Sequence, residues 1–113
     1  MANPKIDVEC REVGLRDGIQ IVKTFVPTDE KIRWIRETVA AGVPNMQVCS
    51  FVPPKLLPQF ADAAEVASAA LEQDGLWVSA LTPNLRGAKT ALEIGVHEID
   101  FMNSVSETHS QSN

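Results

Sequence analysis

A run of strand-forming residues followed by a segment of helical period recurs three times along this chain, and a further strand-like run closes the series. No other feature restricts the fold so tightly. Residues 5–15, KIDVECREVGL, read as a strand, although Asp7, Glu9 and Arg11 charge its first half more than a strand covered on both faces should tolerate. A helix is expected from Thr28, which can serve as N-cap. Asp29 and Glu30 suit the positive end of its dipole, Ile32, Ile35 and Val39 line one face, and Gly42 stops it. NMQVCSF at 45–51 reads as a second strand, and Pro53, Pro54 and Pro58, which lack backbone donors, make the sequel a loop.

Ala63, Val66, Ala67, Ala70 and Leu71 form a stripe of small residues that predicts a second helix over about 61–73, lying close against a sheet. GLWVSALTP at 75–83 reads as a third strand. Asn84 is a predicted cap for a third helix whose inner face is Leu85, Ala88 and Leu92 and which ends at Gly95. HEIDFMN at 97–103 is the fourth strand. Units of this size imply parallel strands joined by right-handed crossovers. An open doubly wound sheet of four strands satisfies that pattern, and so does part of an eight-stranded barrel, which takes about 250 residues. The polar stretch SVSETHSQSN at 104–113 brings no fourth helix to cover the last strand, so the chain is expected to be the first part of a longer one, with an exposed sheet edge if it stood alone.

Charge and composition narrow the function. The net charge is −5 with six aromatics and no basic run, which disfavours a nucleic-acid surface because phosphate neutralisation needs clustered Lys and Arg. No apolar run reaches the length of a membrane span, and the N-terminus lacks the features of a secretion or transit signal, so no membrane association and a cytoplasmic location are expected. Cys10 and Cys49 fit no metal-ligand spacing and are expected to be buried, reduced thiols.

In barrels of this alternating kind, chemistry sits on the loops that follow the strands, here 14–20, 49–59, 82–86 and 103–113. The first of these holds Arg16 and Asp17 side by side between two glycines. An aspartate offers the hard oxygen that Mg2+ and Mn2+ prefer, and an arginine can steady an oxyanion. A local ion pair or a side-chain turn explains the same dipeptide, and the dipeptide alone leaves both open.

Four motifs in register extend the reading. EVGLRDGIQ at 12–20, SFVPPKLLPQFADAAEV at 50–66, LTPNLRG at 81–87 and SVSETHSQSN at 104–113 closely resemble the hydroxymethylglutaryl-CoA lyase family, among the metal-dependent lyases and Claisen-type synthases. The resemblance implies an α/β (β/α)8 TIM barrel, of which this chain supplies about the first three βα units plus strand 4 within one catalytic domain. It further implies Asp17 as a ligand of a divalent metal (Mg2+ or Mn2+), Arg16 as the group that stabilises an enolate, and Gln20 in the pocket wall. Ser50 falls where substrate contact is implied, and Asn84 lies in the TPN motif, with a substrate-binding or architectural role. The implied substrate is an acyl-CoA, cleaved by a retro-Claisen step to acetyl-CoA and a 3-oxoacid such as acetoacetate. A homodimer is expected when the protein is full length.

Two departures bear on these expectations. Gln47 stands where the family lyase carries a glutamate, which removes a negative charge beside the cation and Arg16 and puts the particular acyl substrate in question. The family's H-x-H pair, Asn ligand and reactive Cys come from later strands, so this stretch alone is expected to be inactive. His97 is expected to be a strand-end polar residue, His109 to lie in a loop on the active side, Cys49 to share a pleat face with Gln47 while serving in packing, and Trp34 and Trp77 to be structural. Alternatives are a Claisen-type acyltransferase acting on a 2-oxoacid and a non-catalytic half-barrel module.

Overall fold

In the computed structural model, which describes residues 7–106 and Thr108, four strands form one parallel sheet in the order β1-β2-β3-β4. They are β1 (Arg11–Glu12), β2 (Asn45–Ser50), β3 (Trp77–Leu81) and β4 (Glu98–Asp100). The helices between them are α1 (Thr28–Ala40), α2 (Ala63–Leu71) and α3 (Leu85–Ile94). A doubly wound sheet reverses its strand order at a switch point. Here each strand simply adds to the one before, which is how a barrel wall grows.

α2 packs on the backs of β2 and β3 and touches both α1 and α3. The expected stripe on α2 is largely what is buried: Ala63, Val66, Ala67 and Ala70 join Met46, Val48, Val78 and Ala80 in the core between helices and sheet. α3 departs from expectation. Leu85 and Leu92 are 71% and 67% exposed, and Gly87 and Ala91 face inward instead. A Cβ on Gly87 would lie 2.4 Å from the carbonyl oxygen of Phe51, so only a glycine lets the first turn of α3 come this close to the end of β2. The smallest face wins the inside, and the leucines are turned to the flank.

The first strand is shorter than expected: ladder pairing is confined to Arg11 and Glu12, and the charged residues before them are irregular. Thr28 is not the cap of α1. Pro27 occupies that position, its carbonyl accepting from the amides of Glu30 and Lys31, and the Thr28 hydroxyl donates instead to Asp62 Oδ2 at 2.8 Å. The loop after β2 contains one 3-10 turn, Pro58–Phe60.

A residue that the helical pattern of α1 does not single out holds this layer together. Lys31 is 2% exposed, donates to Asp62 Oδ1 at 2.7 Å and to the Gln59 carbonyl, and lies over the Phe25 ring. The Gln59 side chain accepts from the Val26 amide and donates to the carbonyls of Val22 and Thr24, so the loop before α1 is stitched to the loop before α2.

The β2–β3 register slips by one residue: Gln47 pairs with Ser79, but Cys49 pairs with Ala80. Val48 is the extra residue of this bulge, and it inverts the pleat beyond it. Cys49 therefore does not share a face with Gln47. It points to the helical layer, where burial first and the Asp62 charge second push its thiol up to about 12 against the opposing effect of Lys31. Cys10, also expected to be buried, is exposed because the backbone around it has no ladder to cover it.

Two outcomes follow. Removing one partner of a buried ion pair strands the other, so Lys31→Met should lower the free energy of urea unfolding by about 3–5 kcal/mol, with Lys31→Met/Asp62→Leu recovering most of it. Counting thiols with a disulfide reagent should give one fast site, Cys10, in native protein, and Cys49 should react only once urea unfolds the sheet.

Candidate active site

Between β1 and α1 the chain makes one wide, π-helical turn at Gly14–Gly18, in which the Val13 carbonyl accepts from three successive amides. These are Arg16 at 3.0 Å, Asp17 at 2.8 Å and Gly18 at 3.4 Å. Single π-helical turns of this kind recur at functional sites. This one buries Leu15 against the sheet and leaves its neighbours Arg16 and Asp17 at the end of the strands.

The two charged side chains take different directions. Arg16 is 13% exposed and reaches across the inner face of the sheet, its Nε donating to Gln47 Oε1 at 2.5 Å and its terminal nitrogen to Gln20 Oε1 at 2.9 Å. Asp17 is 67% exposed at the rim, its Oδ1 3.4 Å from the Arg16 guanidinium. The arrangement is more than a local ion pair: Arg16 spends its better hydrogen bonds on two glutamines.

Gln47 continues the connection. Its Nε2 donates to Asp100 Oδ2 at 2.6 Å, and the same oxygen accepts from Arg11 at 3.1 Å. Arg11 also pairs with Glu98, whose other oxygen accepts from Trp77 Nε1 at 3.2 Å. A continuous polar chain thus runs Arg16–Gln47–Asp100–Arg11–Glu98–Trp77 over the concave face. Burial acts to raise the Asp100 carboxyl, but hydrogen bonds with Gln47 and with Glu98, the Arg11 charge and a hydrogen bond with Ser79 hold it below the usual carboxylate range. It stays ionised at neutral pH.

The expected site residues are thus partly gathered. Arg16 is hydrogen-bonded to both Gln20 and Gln47, with Asp17 beside it. Ser50 is buried, and because it pairs with Leu81, which pairs with Asp100, the bulge brings it onto the face of Gln47. Asn84 accepts from the Gly87 amide at 2.8 Å and so caps α3 as expected. Thr82 is buried, its amide and hydroxyl both directed to the Asp100 carbonyl. His97 stacks on Trp77 at 4.9 Å and accepts from the Val78 amide, at the strand end remote from Arg16. His109 and Glu107 lie outside the described residues.

Sequence reasoning missed Arg11, Glu98 and Asp100. The signal was present as charges at alternate positions, Asp7, Glu9 and Arg11 leading into β1 and Glu98 and Asp100 in β4; such a pattern means that one face of the sheet is polar. Among the described residues no cluster of three or more His, Cys, Asp or Glu stands ready for a metal, and no helix is long and apolar enough to cross a membrane.

Comparison with known proteins agrees with this geometry. The model of the HMGL-like family matches residues 7–113. The mitochondrial hydroxymethylglutaryl-CoA lyase of Arabidopsis thaliana is 43% identical over 106 residues, which cover 94% of this chain and 23% of that protein. The 3-hydroxy-3-isohexenylglutaryl-CoA/hydroxymethylglutaryl-CoA lyase of Pseudomonas aeruginosa is also 43% identical, over 94% of this chain and 35% of its own length. The crystal structure of the Bacillus subtilis HMG-CoA lyase superposes with a TM-score of 0.86 at 40% identity, covering 94% of this chain and 36% of that one. The chain therefore spans between about a quarter and two fifths of the relatives it matches. It belongs to the HMGL-like family, and its four strands and three helices are the N-terminal part of a (β/α)8 barrel.

Proposed function

We propose that this chain carries the Arg16–Asp17 side of an acyl-CoA lyase site that cleaves a 3-hydroxy-3-methylglutaryl-type thioester to acetyl-CoA and acetoacetate, with Mg2+ or Mn2+ as cofactor. The observation that carries the reading is the Arg16 guanidinium, turned inward and clamped by Gln47 and Gln20 beside the Asp17 carboxylate. The names of the relatives supply the substrate class.

In this reaction a base takes the proton of the tertiary hydroxyl, and the carbinol carbon becomes the ketone of acetoacetate. The carbon–carbon bond breaks, its electron pair moves onto the thioester as an enolate, and protonation of the enolate carbon gives acetyl-CoA. Arg16 meets the charge that develops on the thioester oxygen. A donor held in place beforehand does this without reorganising during the step, and Gln47 and Gln20 do the holding. Gln47 has no proton to exchange near neutral pH, so its part is orientation rather than acid–base work.

Asp17 fits one corner of a hard-cation site: an exposed carboxylate at the rim offers the oxygen that Mg2+ and Mn2+ favour. One carboxylate does not hold such an ion, and the remaining ligands belong to parts of the protein outside the described residues. When bound, the cation draws charge from substrate oxygens and lowers the cost of the enolate. The Ser50 hydroxyl and the wall of β2 orient the acyl portion.

The test is release of acetyl-CoA from hydroxymethylglutaryl-CoA by the full-length protein. Arg16→Met should lower kcat by roughly 100- to 1,000-fold, the loss typical of a single oxyanion donor. Asp17→Ala should raise the Mn2+ concentration needed for half-maximal rate by more than about tenfold, since the ion loses a charged ligand. Unchanged metal affinity in that variant would remove the metal assignment, and condensation of acetyl-CoA with a 2-oxoacid in the absence of any cleavage would replace the lyase with a synthase.

A further inference from the structure

We infer that Asp100 is a positioning residue of this site: acting through Gln47 from the far strand, it dictates which way the Gln47 amide faces and thereby holds Arg16 at the reacting end. The inference concerns a residue outside the Arg16–Asp17 motif, and its kinetic consequence rests on the lyase reading above.

The argument is one of hydrogen-bond polarity. A primary amide has an accepting end and a donating end, a guanidinium only donates, and an ionised carboxylate only accepts. Gln47 lies between one of each, with Oε1 toward Arg16 Nε at 2.5 Å and Nε2 toward Asp100 Oδ2 at 2.6 Å. Turning the amide over would set N–H against N–H at one end and oxygen against oxygen at the other. Arg16 and Asp100 each favour this orientation from its own end, and together they oppose the flipped one twice. Asp100 is in turn fixed by Arg11 from β1, which also holds Glu98, the other charged group on β4. Glu98 also meets it directly from the same strand, Ser79 contacts it from β3, and Arg16 is the charged group beyond Gln47. Along this hydrogen-bonded series the two arginines alternate with two carboxylates, with the neutral Gln47 amide between Arg16 and Asp100 and the Asp17 carboxylate beside Arg16 at the rim.

Carboxylate chemistry at position 47 would therefore be compatible with Arg16 and incompatible with Asp100. Gln47→Glu brings two carboxyl groups within hydrogen-bond reach. Such a pair takes up one shared proton with a raised macroscopic pKa, and above that pKa it repels. Asp100→Asn removes the charge but can present either end of its own amide. Combined, the two changes reverse the roles between positions 16 and 100: the carboxylate at position 47 accepts from Arg16 and from the new amide nitrogen at position 100, which takes the place of the oxygen that Arg11 shares, so Arg11 keeps its bond to Glu98. The polarity of that segment is restored with its negative charge moved one step closer to Arg16.

The experiment uses full-length protein with Mn2+ and hydroxymethylglutaryl-CoA. Gln47→Glu alone should lower kcat at pH 8 by about tenfold or more, change KM by less than about threefold, and regain rate as pH falls and the pair takes up its proton. Asp100→Asn alone should cost about three- to tenfold, and the double variant should come back to within about threefold of the parent with the extra pH dependence gone. Losses that multiply in the double variant, or a Gln47→Glu profile that tracks the parent at every pH, overturn the inference. A readout without turnover separates this outcome from failure of the lyase reading. In 15N–1H spectra of the same proteins, the Arg16 Nε–H resonance should shift in Asp100→Asn and return toward the parent position in the double variant. Should the parent release no acetyl-CoA, the lyase reading falls while the resonance still tests the coupling; a resonance indifferent to Asp100→Asn overturns the inference whatever the reaction is.

Discussion

The chain of hydrogen bonds from Arg16 to Trp77 is the constraint around which the rest of the structure is arranged. It spans side chains from all four strands and the first turn, and every strand must hold its register for the links to close. Charged groups on the concave face of a sheet are costly unless paired, because the surroundings solvate them poorly. Here each charge has a partner on another strand, so polar pairing and strand order specify one another. An interior filled with leucine and valine would bind the strands as tightly but would leave Arg16 with nothing to lean on.

The opposite face supplies the mechanical support. Small residues on α2 and the glycine of α3 let the helices lie close to β2 and β3, which fixes the height of the loops that follow those strands. Lys31 and Gln59 tie the loop leading into α1 to the loop leading into α2. The turn carrying Arg16 and Asp17 comes shortly before that stitched segment. Rigid support on the outside therefore matters to chemistry on the inside, though none of these residues faces the concave side.

Much of this organisation could be read from the amino-acid order. Helix and strand placement follow from apolar period, and Arg16, Asp17 and Gln20 stand in one motif whose local spacing survives folding. What escaped was of a different kind. Leu85 and Leu92 carry the larger apolar area, yet close approach to the Phe51 carbonyl selected the glycine face of α3, a steric fact that involves an atom far away in sequence. Lys31 looks like a solvated charge on a helix surface until Asp62 and Gln59 arrive from another segment. Asp100 and Arg11 are 89 positions apart, and only the curvature of the sheet makes them neighbours.

The extra residue at Val48 has a consequence for how this wall of the barrel handles oxygen and oxidants. Because the pleat inverts there, hydroxyl and amide groups three positions apart, Ser50 and Gln47, line the concave side, while the thiol of Cys49 is sequestered behind it in the apolar core. A regular ladder would have exchanged them, presenting a soft, oxidisable atom to any thioester or metal that entered and hiding the hydroxyl. One inserted residue thus works as a chemical partition, with the thiol on one side of the wall and the hydroxyl and amide on the other.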